Sequence, residues 1–343
     1  MKRNCYFSKL EYLKSLMNSF KIIKYTSGHY NLWNDFVANA KNATFLFHRD
    51  FMEYHSDRFE DNSLLIFDEK EKLVAIFPAN RVGNELFSHQ GLTYGGLVLD
   101  EKSKLSELIQ LNQQLFKYLF DTGFNKVQLK IIPPIYNSFP SDEMEYISFL
   151  LQAKLIRRDA IAILELANKI VPSRVRKRGI ETGEKSKLKI VEETSFDLFW
   201  EKLLIPNLYT KYNSKPIHTV SEMTYLKSKF PKLIRQFNVY FENEIIGGVT
   251  VFVTKNVIHP QYISGNKAFN TKLGGLDFLY NHLIQNVFSN DKYFDFGISN
   301  ENNGLHLRES LHYWKESFGA RTIVQNFYEI ETKNYVNLNQ VLI

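Results

Sequence analysis

The sequence has little cysteine and no clustered metal ligands, and these absences exclude several classes of protein. Cys5 is the only cysteine among 343 residues, so neither an internal disulfide framework nor a CxxC metal site can form. The nine histidines show no HExxH or other short metal-binding spacing. We therefore expect a protein without a metal centre.

Long apolar runs are also lacking. No stretch approaches the ~18 consecutive apolar residues of a membrane span. Near the N-terminus, Lys9, Glu11 and Lys14 interrupt every apolar stretch, so no signal-peptide core is expected there. Low-complexity segments and short repeats are absent as well. These features predict a soluble, cytoplasmic protein.

What the chain does contain is enough apolar material for two packed domains. Hydrophobic residues make up 44% of the sequence, which is ample for a large core. The length corresponds to two domains of roughly 150 residues. The net charge of +6 is modest for this length, so it favours an acidic or phosphorylated ligand over extensive nucleic-acid binding.

Apolar patterns typical of strands and helices occur twice in the same order. In the first half they predict a hairpin over 63–77, a strand over 85–99, a helix over 104–121, a strand over 126–132, a helix over 142–154 and a strand over 160–166. In the second half the corresponding ranges are 235–253, 257–264, 276–289, 293–299, 305–318 and 321–331. We therefore predict an α/β protein with mixed (α+β-type) sheets in two similar domains, residues 1–170 and 171–343.

The segment FDFGISNENNG (294–304) is the strongest indication of a functional site. Phe294, Phe296 and Ile298 alternate and predict one buried face of a short strand. Gly297 lies on the other face, and a glycine inside a buried strand often marks a close approach to the backbone. A polar loop follows, at the strand end where α/β sheets place their ligands. The segment predicts the floor and rim of an active site.

The two halves differ at the junction before their first long helix. The first half has Asp100 and Glu101 there, and these would repel a bound phosphate. The second half has Lys267, Lys272 and the pair Gly274-Gly275, and exposed N–H groups at such a helix start can bind pyrophosphate. This contrast predicts a phosphate-bearing cofactor in the second half only, with a plain glycine-containing helix entry as the alternative.

The strand before this junction contains Pro260, which has no N–H and therefore predicts a bulge or a local splay. Simple alternation places His259, Gln261 and Ile263 on one face, and Tyr262 and Ser264 on the other. If this strand diverges from the Gly297 strand, its unpaired backbone groups can bind an extended amide chain such as pantetheine. A satisfied, half-buried polar pair is the alternative for His259 and Gln261.

Several segments together resemble the tandem-domain, Fem-like branch of the GNAT superfamily of acyl-CoA N-acyltransferases. They are FLFHRDFMEYHSDRF (45–59), HQGLTYGGLV (89–98), KPIHT (215–219), IHPQYIS (258–264), KLGGLDFLYNHLI (272–284), FDFGISNENNG (294–304) and KESFGAR (315–321). Within this branch the chain is most similar to bacterial enzymes that acylate the amine of a dTDP-linked amino-dideoxysugar. The resemblance spans about residues 45–331.

The resemblance implies two GNAT-like domains with a cleft between them and acyl-CoA as the donor. It also implies a role in surface polysaccharide synthesis, such as that of the lipopolysaccharide O-antigen. One departure concerns the GNAT phosphate loop, because residues 271–276 keep only its first glycine in register. The phosphates would then depend more on Lys267 or Lys272. The Fem-like branch also includes enzymes that use aminoacyl-tRNA, so the donor stays open.

In the implied mechanism, a neutral amine attacks the thioester, and backbone N–H groups near Tyr262 or Ile263 stabilise the oxyanion. His218 is the first candidate for the general base and Glu301 the second. Asp295 is expected to orient a partner, and Tyr313 is a candidate acid for the leaving thiolate. Capping or packing for His218 and a core position for Tyr313 are the alternatives. The expected cofactor contacts are Tyr262, Ile263, Ser264, Gly265, Lys267, Lys272, Leu273, Gly274, Gly275, Ser299, Asn300 and Tyr313.

The acceptor is expected between the domains, a frequent position for ligand pockets. The candidate acceptor contacts are His48, Tyr54, His55, His89, Tyr94, Gly95, Arg174, Arg178, His259 and Gln261. The two arginines are suited to a nucleotide diphosphate. Core positions for the aromatic residues and a solvated helix face for the basic ones are the alternatives.

Two other functions remain open at this point. One is a Fem-like peptidyltransferase that uses aminoacyl-tRNA to modify a cell-wall precursor. Its members usually carry a long helical arm, and no heptad pattern of that length occurs here. The other is a non-catalytic RNA-binding protein that uses the basic residues 174–189, although the sequence has no RNP-type or zinc-knuckle motif.

Overall fold

The structure is a computed structural model that describes residues 19–343. Cys5 and the interrupted apolar stretches of the N-terminus lie outside these residues. Within the described part of the chain, no helix has both the length and the apolar character needed to cross a membrane.

The chain forms two compact units. The first contains the described residues up to Arg157 together with Gln325–Ile343, and the second is Arg158–Val324. Both divisions fall inside strands. The division predicted from the sequence, between residues 170 and 171, lies thirteen residues beyond the first of them by its numbering, about one strand length.

The strands, numbered along the chain, are short in the first unit and longer in the second. They are β1 Lys21–Lys24, β2 Glu60–Asp61, β3 Leu64–Phe67, β4 Leu73–Phe77, β5 Asn80–Val82, β6 Glu85–Phe87, β7 Val98–Leu99, β8 Lys126–Lys130, β9 Lys154–Glu165, β10 Lys189–Glu193, β11 Ile234–Phe241, β12 Glu244–Val253, β13 Val257–Gly265, β14 Tyr293–Ile298, β15 Asn300–Glu301, β16 His306–Leu307 and β17 Arg321–Glu331.

The helices lie between these strands. They are α1 Tyr30–Asn39, α2 Arg49–Met52, α3 Leu105–Asp121, α4 Glu143–Leu150, α5 Arg174–Lys185, α6 Asp197–Phe199, α7 Ile205–Tyr212, α8 Val220–Lys229, α9 Lys267–Leu273, α10 Gly275–His282 and α11 Glu309–Glu316. A π-helical turn, Trp200–Leu204, joins α6 to α7, and another, Leu283–Val287, extends α10. Short 3₁₀ segments are Ser27–His29, Phe45–Phe47, Glu53–His55, Pro134–Tyr136 and Thr332–Leu338.

The first unit packs α3 against two groups of strands. One group has the order β1-β3-β4-β7 and the other β17-β8-β6-β5-β2, in which β6 and β8 are parallel. Along α3, Leu108, Leu111, Leu115 and Leu119 are buried at helical spacing, and they join one core with Phe77. Burying side chains of this size stabilises the fold by about 2 kcal/mol each.

The second unit is built on one sheet with the order β10-β11-β12-β13-β14-β9. Neighbouring strands are antiparallel except β13 and β14, which are parallel. Its core is aromatic: Tyr280 of α10 packs against Phe294 and Phe296 of β14, and Trp314 and Phe318 complete the cluster. The buried face predicted for β14 is confirmed at Phe294 and Phe296. It is wrong at Ile298, which is 38% exposed, because the ladder with β9 shifts its register between Asp295 and Ile298.

The closing strand of each sequence half pairs in the unit formed mostly by the other half. Residues 161–165 of β9, from the end of the first half, pair with β14. Residues 327–331 of β17, from the end of the second half, pair with β8. Hydrophobic patterning identifies both segments as strands, but it does not specify their pairing partners.

The predicted elements agree with the structure except at three places. The helix predicted over 142–154 ends at Leu150, and the strand predicted over 160–166 already begins at Lys154. The single strand predicted over 85–99 is in fact β6 and β7, separated by the glycine-containing loop 88–97. The helix predicted from Leu305 begins at Glu309, because residues 300–307 form the small hairpin β15–β16. Asn302, Asn303 and Gly304 all have positive φ and make the tight turn of that hairpin.

Candidate active site

An opening between β13 and β14 is the main feature of the second unit. The two strands pair only at their beginnings, Val257 with Tyr293 and Ile258 with Phe294. Further along, β13 keeps its ladder with β12, and β14 keeps its ladder with β9, so the two strands diverge. The splay predicted from Pro260 and Gly297 is therefore present.

A β-bulge at Pro260 changes which side chains share a face. In the ladder with β12, His259 lies opposite Phe252, Pro260 opposite Val251, and Tyr262 opposite Thr250, so Gln261 is the extra residue. Since Thr250 and Phe252 are two residues apart, they lie on one face, and so do their partners Tyr262 and His259. The predicted alternation, which put these two residues on opposite faces, is wrong because the extra residue reverses it.

His259 and Asp295 meet across the opening. His259 Nδ1 lies 3.1 Å from Asp295 Oδ2, although its N–H does not point directly at that oxygen in this conformation. The other carboxylate oxygen of the buried Asp295 accepts a 2.6 Å hydrogen bond from the Gly297 N–H. Gly297 has a φ of +74°, and a Cβ at this position would lie 3.5 Å from the His259 ring. The imidazole thus lies over a glycine, beside an orienting carboxylate.

Lys315 of α11 is a functional candidate that the sequence analysis missed. Its ammonium donates to the carbonyl oxygens of Gly297 (2.9 Å) and Ile298 (2.6 Å), at the end of β14. Burial lowers the pKa of Lys315 to about 8, and nearby Asp295 opposes this shift. The sequence does contain an indication of this burial. Lys315 lies between Leu311 and Phe318 on the apolar helix face that carries Trp314.

His218 and Tyr262 form a second pair on the same side of β13. His218 Nδ1 lies 2.5 Å from Tyr262 Oη, which also accepts the His218 backbone N–H at 3.2 Å. Burial raises the pKa of Tyr262 to about 12, so the phenol keeps its proton at neutral pH. Trp200 packs edge-on against the Tyr262 ring. Thr219 caps the start of α8 in a capping box completed by Glu222.

Helix α7 and the β15–β16 hairpin flank this opening, and Arg308, which directly follows the hairpin, links the two. On the β13 side, Asn207 of α7 donates to Ser264 Oγ (2.7 Å) and to the Gly265 carbonyl (3.1 Å). On the β14 side, Arg308 donates to Tyr212 Oη at 2.8 Å and pairs with Glu301 at 3.2 Å. Glu301 is thus ion-paired with Arg308, and its side chain is 54% exposed.

The glycine pair at the start of α10 is used for helix packing. A Cβ on Gly274 would lie 2.0 Å from the carbonyl oxygen of Gly179 in α5, so the two backbones are in close contact. The Leu276 N–H, one of the N–H groups at this helix start, donates to Asn270 Oδ1 at 3.1 Å and is therefore engaged within the chain. Lys267 and Lys272 are exposed on α9, whereas Leu273, Gly274 and Gly275 are buried.

The remaining predicted cofactor contacts lie after β14, on β13 or on α11. Ser299 is buried, and Asn300 holds the loop by accepting from the Ala160 N–H (2.7 Å) and donating to the Gly304 carbonyl (3.1 Å). Ile263 is partly exposed. Tyr313 is 56% exposed, so the core position considered for it is wrong.

Most acceptor contacts predicted in the first unit are structural there. His48 caps α2 by accepting from the Asp50 N–H. Tyr54 stacks on the buried His55, with ring centroids 4.1 Å apart. His89 is buried as well, and burial together with His55 lowers its pKa to about 3. The buried positions of His55 and His89 agree with the core alternative, whereas His48 and Tyr54 are half-buried.

The counterpart of the opening in the first unit is filled by the chain itself. Ser88 donates its N–H to the Gln128 carbonyl (2.9 Å), and Gly95 donates to that of Lys130 (2.7 Å), so residues 88–95 leave β8 and return to it. A Cβ on Gly95 would lie 2.0 Å from the Ser88 carbonyl oxygen, which leaves no room for a sugar. Tyr94 is buried, with its hydroxyl 2.9 Å from Thr44 Oγ1.

The basic helix α5 divides into buried and exposed residues. Arg176 is buried, pairs with Asp277 and donates to Ser317 Oγ at 2.9 Å. Arg174 and Arg178 are exposed. The helix is therefore attached to the second unit by one face, which reduces the basic surface considered for RNA binding.

Comparison with known proteins identifies the fold. The sequence matches no protein-family model, and no curated protein is significantly similar to it. Among solved structures, FemX superposes with a TM-score of 0.63 at 9% identity, over 93% of this chain and 99% of FemX. L-PGS from Bacillus licheniformis gives 0.58 at 11% identity, over 91% and 96%. The C-terminal domain of a putative lysylphosphatidylglycerol synthetase from Agrobacterium fabrum gives 0.56 at 12%, over 91% and 95%. The chain therefore has the tandem Fem-like fold that the sequence resemblance implied.

Proposed function

We propose that this protein is an N-acyltransferase that moves an acyl group from acyl-CoA to the amine of a dTDP-linked amino-dideoxysugar. The observation that carries the proposal is the divergence of β13 and β14 after two paired residues, with two histidines on one side of it. An opening of this kind accepts an extended amide chain as an added strand. The fold shared with FemX supports acyl transfer as the reaction class.

The proposed reaction uses orientation and hydrogen bonding more than covalent catalysis. The pantetheine arm lies along β13, and the amine attacks the thioester carbonyl directly. A backbone N–H near Tyr262 or Ile263 stabilises the oxyanion, which is worth about 3 kcal/mol for one such donor. Holding the amine beside the thioester contributes further through orientation. The proposed acyl group is acetyl or a short hydroxyacyl group such as 3-hydroxybutyryl.

We assign the donor phosphates to the exposed lysines of α9, since the α10 start is engaged in packing. Lys267 and Lys272 are both exposed. The exposed Arg174 and Arg178 of α5 supply charge for the nucleotide diphosphate of the acceptor.

A second candidate is a Fem-like transferase that takes its acyl group from aminoacyl-tRNA. The observation favouring it is again the α10 start, where Gly274 packs on Gly179 and the Leu276 N–H is bonded within the chain. One similar structure is named as a domain of a putative lysylphosphatidylglycerol synthetase, which supports an aminoacyl donor equally well.

Ligand-induced thermal shifts separate the two candidates. Specific binding stabilises the folded protein by about 2.7 kcal/mol when the ligand is at one hundred times its Kd. The proposal expects CoA and a dTDP-amino sugar each to raise the midpoint, and tRNA to leave it unchanged. A shift with tRNA alone would favour the second candidate. Mass spectrometry of mixtures of acyl-CoA and dTDP-amino sugars then identifies the product.

A matched set of lysine variants tests the phosphate assignment. Lys267→Ala combined with Lys272→Ala is expected to reduce the CoA-induced shift, because two cations near the donor are removed. Lys255→Ala is the control, since this exposed lysine lies in the turn between β12 and β13. Equal loss in both proteins would show that the effect is not specific to α9.

A further inference from the structure

The two histidines beside the opening differ in the partner of their Nδ1 atoms. His259 Nδ1 faces a carboxylate oxygen of Asp295 at 3.1 Å. His218 Nδ1 faces the Tyr262 hydroxyl at 2.5 Å. A carboxylate only accepts hydrogen bonds, whereas a phenol both donates and accepts them. The partner of Nδ1 determines which ring nitrogen carries the proton of a neutral imidazole.

Asp295 fixes the His259 tautomer. Its Oδ1 accepts the Gly297 N–H at 2.6 Å, and Oδ2 faces the imidazole. A neutral His259 is therefore most stable with its proton on Nδ1, which leaves the lone pair of Nε2 available to accept a proton. Alignment of the Nδ1–H with Oδ2 is incomplete in this conformation, as is common for catalytic hydrogen bonds before substrate binds.

Tyr262 fixes the opposite tautomer in His218. The phenol oxygen already accepts the His218 backbone N–H at 3.2 Å. Burial raises the pKa of the phenol to about 12, so it keeps its own proton. That proton has His218 Nδ1 as its acceptor at 2.5 Å. The neutral His218 then carries its proton on Nε2.

We infer that the two histidines have different tasks: His259, oriented by Asp295, is the general base of the transfer, and His218 is a hydrogen-bond donor to an oxygen of the substrate. This replaces the prediction from sequence that His218 is the base. The inference rests on the proposed acyl transfer for its chemistry. Asp295 and Tyr262 are positioning residues, because they act through the two imidazoles.

The proton and electron balance of the step is simple. The lone pair of the amine forms the C–N bond, and the thioester carbonyl becomes an oxyanion. Nε2 of His259 takes one proton from the resulting ammonium. The C–S bond then breaks with its electron pair on sulfur, and the imidazolium returns the proton to the thiolate. The products are the amide and the free thiol of CoA, and His259 regains its starting form.

The Asp295→Asn variant tests the tautomer of His259 directly. The Gly297 N–H still needs an acceptor, so the amide oxygen of the new asparagine faces it, and the NH₂ group faces His259 Nδ1. Nδ1 must then accept a hydrogen bond, and the imidazole proton moves to Nε2. Long-range ¹H–¹⁵N NMR of histidine-labelled protein reads both tautomers, with His259→Gln and His218→Gln providing the assignments.

The expected NMR result is Nδ1–H for His259 and Nε2–H for His218 in the wild-type protein, with His259 switching to Nε2–H in Asp295→Asn. The same tautomer at both histidines, or no switch, would overturn the inference. This measurement needs no substrate. It therefore tests the two tautomers on which the inference depends even if the proposed donor or acceptor is wrong.

Turnover separates the tasks, because a glutamine amide donates a hydrogen bond but is not a base. His218→Gln is expected to keep turnover within about tenfold of wild type, since its NH₂ group replaces the Nε2–H. His259→Gln and Asp295→Asn are expected to lose about 10²–10⁴-fold. His282→Gln, at a half-buried histidine of α10, is the control and should retain full turnover. The reverse order of losses would overturn the assignment.

Discussion

At the residue scale, Lys315 shows how one buried cation can fix the end of a strand. Its ammonium donates to the last two carbonyls of β14, and the side chain is only 5% exposed. Lysine is rarely buried unless its charge is compensated. Here the compensation comes from two carbonyl dipoles and from Asp295 nearby. The carbonyls of Gly297 and Ile298, which border the opening, are thereby held in place.

The pKa of Lys315 leads to a prediction about stability and pH. The folded protein releases this proton near pH 8, whereas the unfolded chain keeps it to about pH 10.5. Between these values the unfolded state binds more protons, so the free energy of unfolding rises with pH. Relative to Lys315→Met, the wild-type protein should gain up to about 3 kcal/mol between pH 8 and 10.5.

Urea unfolding of both proteins at a series of pH values measures this difference. All other titrating groups are common to the two proteins, so their contributions cancel. Parallel stability curves would contradict the lowered pKa of Lys315.

The site residues also show what a single sequence can and cannot predict. Pro260 and Gly297 indicated the splay, because each residue has a specific backbone consequence. The sequence indicated His218, Tyr262 and Asp295 as candidate site residues. It did not indicate which side chains they contact. One bulged residue reversed the faces of β13, and simple alternation cannot detect such an insertion. Lys315 was missed because a cation on an apolar helix face is usually assigned to solvent.

At the element scale, glycines set the distance between α5 and α10. Gly274 touches the Gly179 backbone, and a Cβ on Gly183 would lie 2.5 Å from that of Phe278. The Arg176–Asp277 ion pair lies along the same contact. The sequence placed Gly274 correctly at a helix start. It did not indicate that another helix covers this start, since that contact joins residues almost one hundred positions apart in the numbering.

Substitution of Gly274 is therefore expected to be costly. In Gly274→Ala the new methyl meets a backbone oxygen, and the residue also has a φ of +66°. Overpacking and left-handed strain together should destabilise the second unit by about 3 kcal/mol. Gly83→Ala is the matched control: its φ is +58° and nothing lies within 4 Å of the added Cβ, so it should lose only about 1 kcal/mol.

Thermal unfolding monitored by circular dichroism compares the two variants with the wild-type protein. Equal losses would mean that backbone strain accounts for the whole effect, and that α5 adjusts to the extra methyl.

At the scale of the whole molecule, the two compact units do not coincide with the two halves of the sequence. The closing strand of each half pairs in the unit formed mostly by the other half. Both halves carry the same order of elements, as their patterns predicted, and the shared fold with FemX covers nearly all of the chain. However, β9 pairs with β14, and β17 pairs with β8. Strand pairing depends on contacts distant in sequence, so the repeated pattern alone does not determine it.

Two fragments of similar length test whether this exchange governs folding. Residues 158–324 retain the part of β9 that pairs with Asp295 and Ile298 of β14. Residues 171–343 lack it, so the outer edge of β14 loses its partner and the sheet gains an exposed strand edge, which favours aggregation. We expect 158–324 to be monomeric by size-exclusion chromatography with native-like near-UV circular dichroism, and 171–343 to aggregate. If the longer fragment, 171–343, folds equally well, then β9 is dispensable for the second unit, and the strand exchange does not define its folding unit.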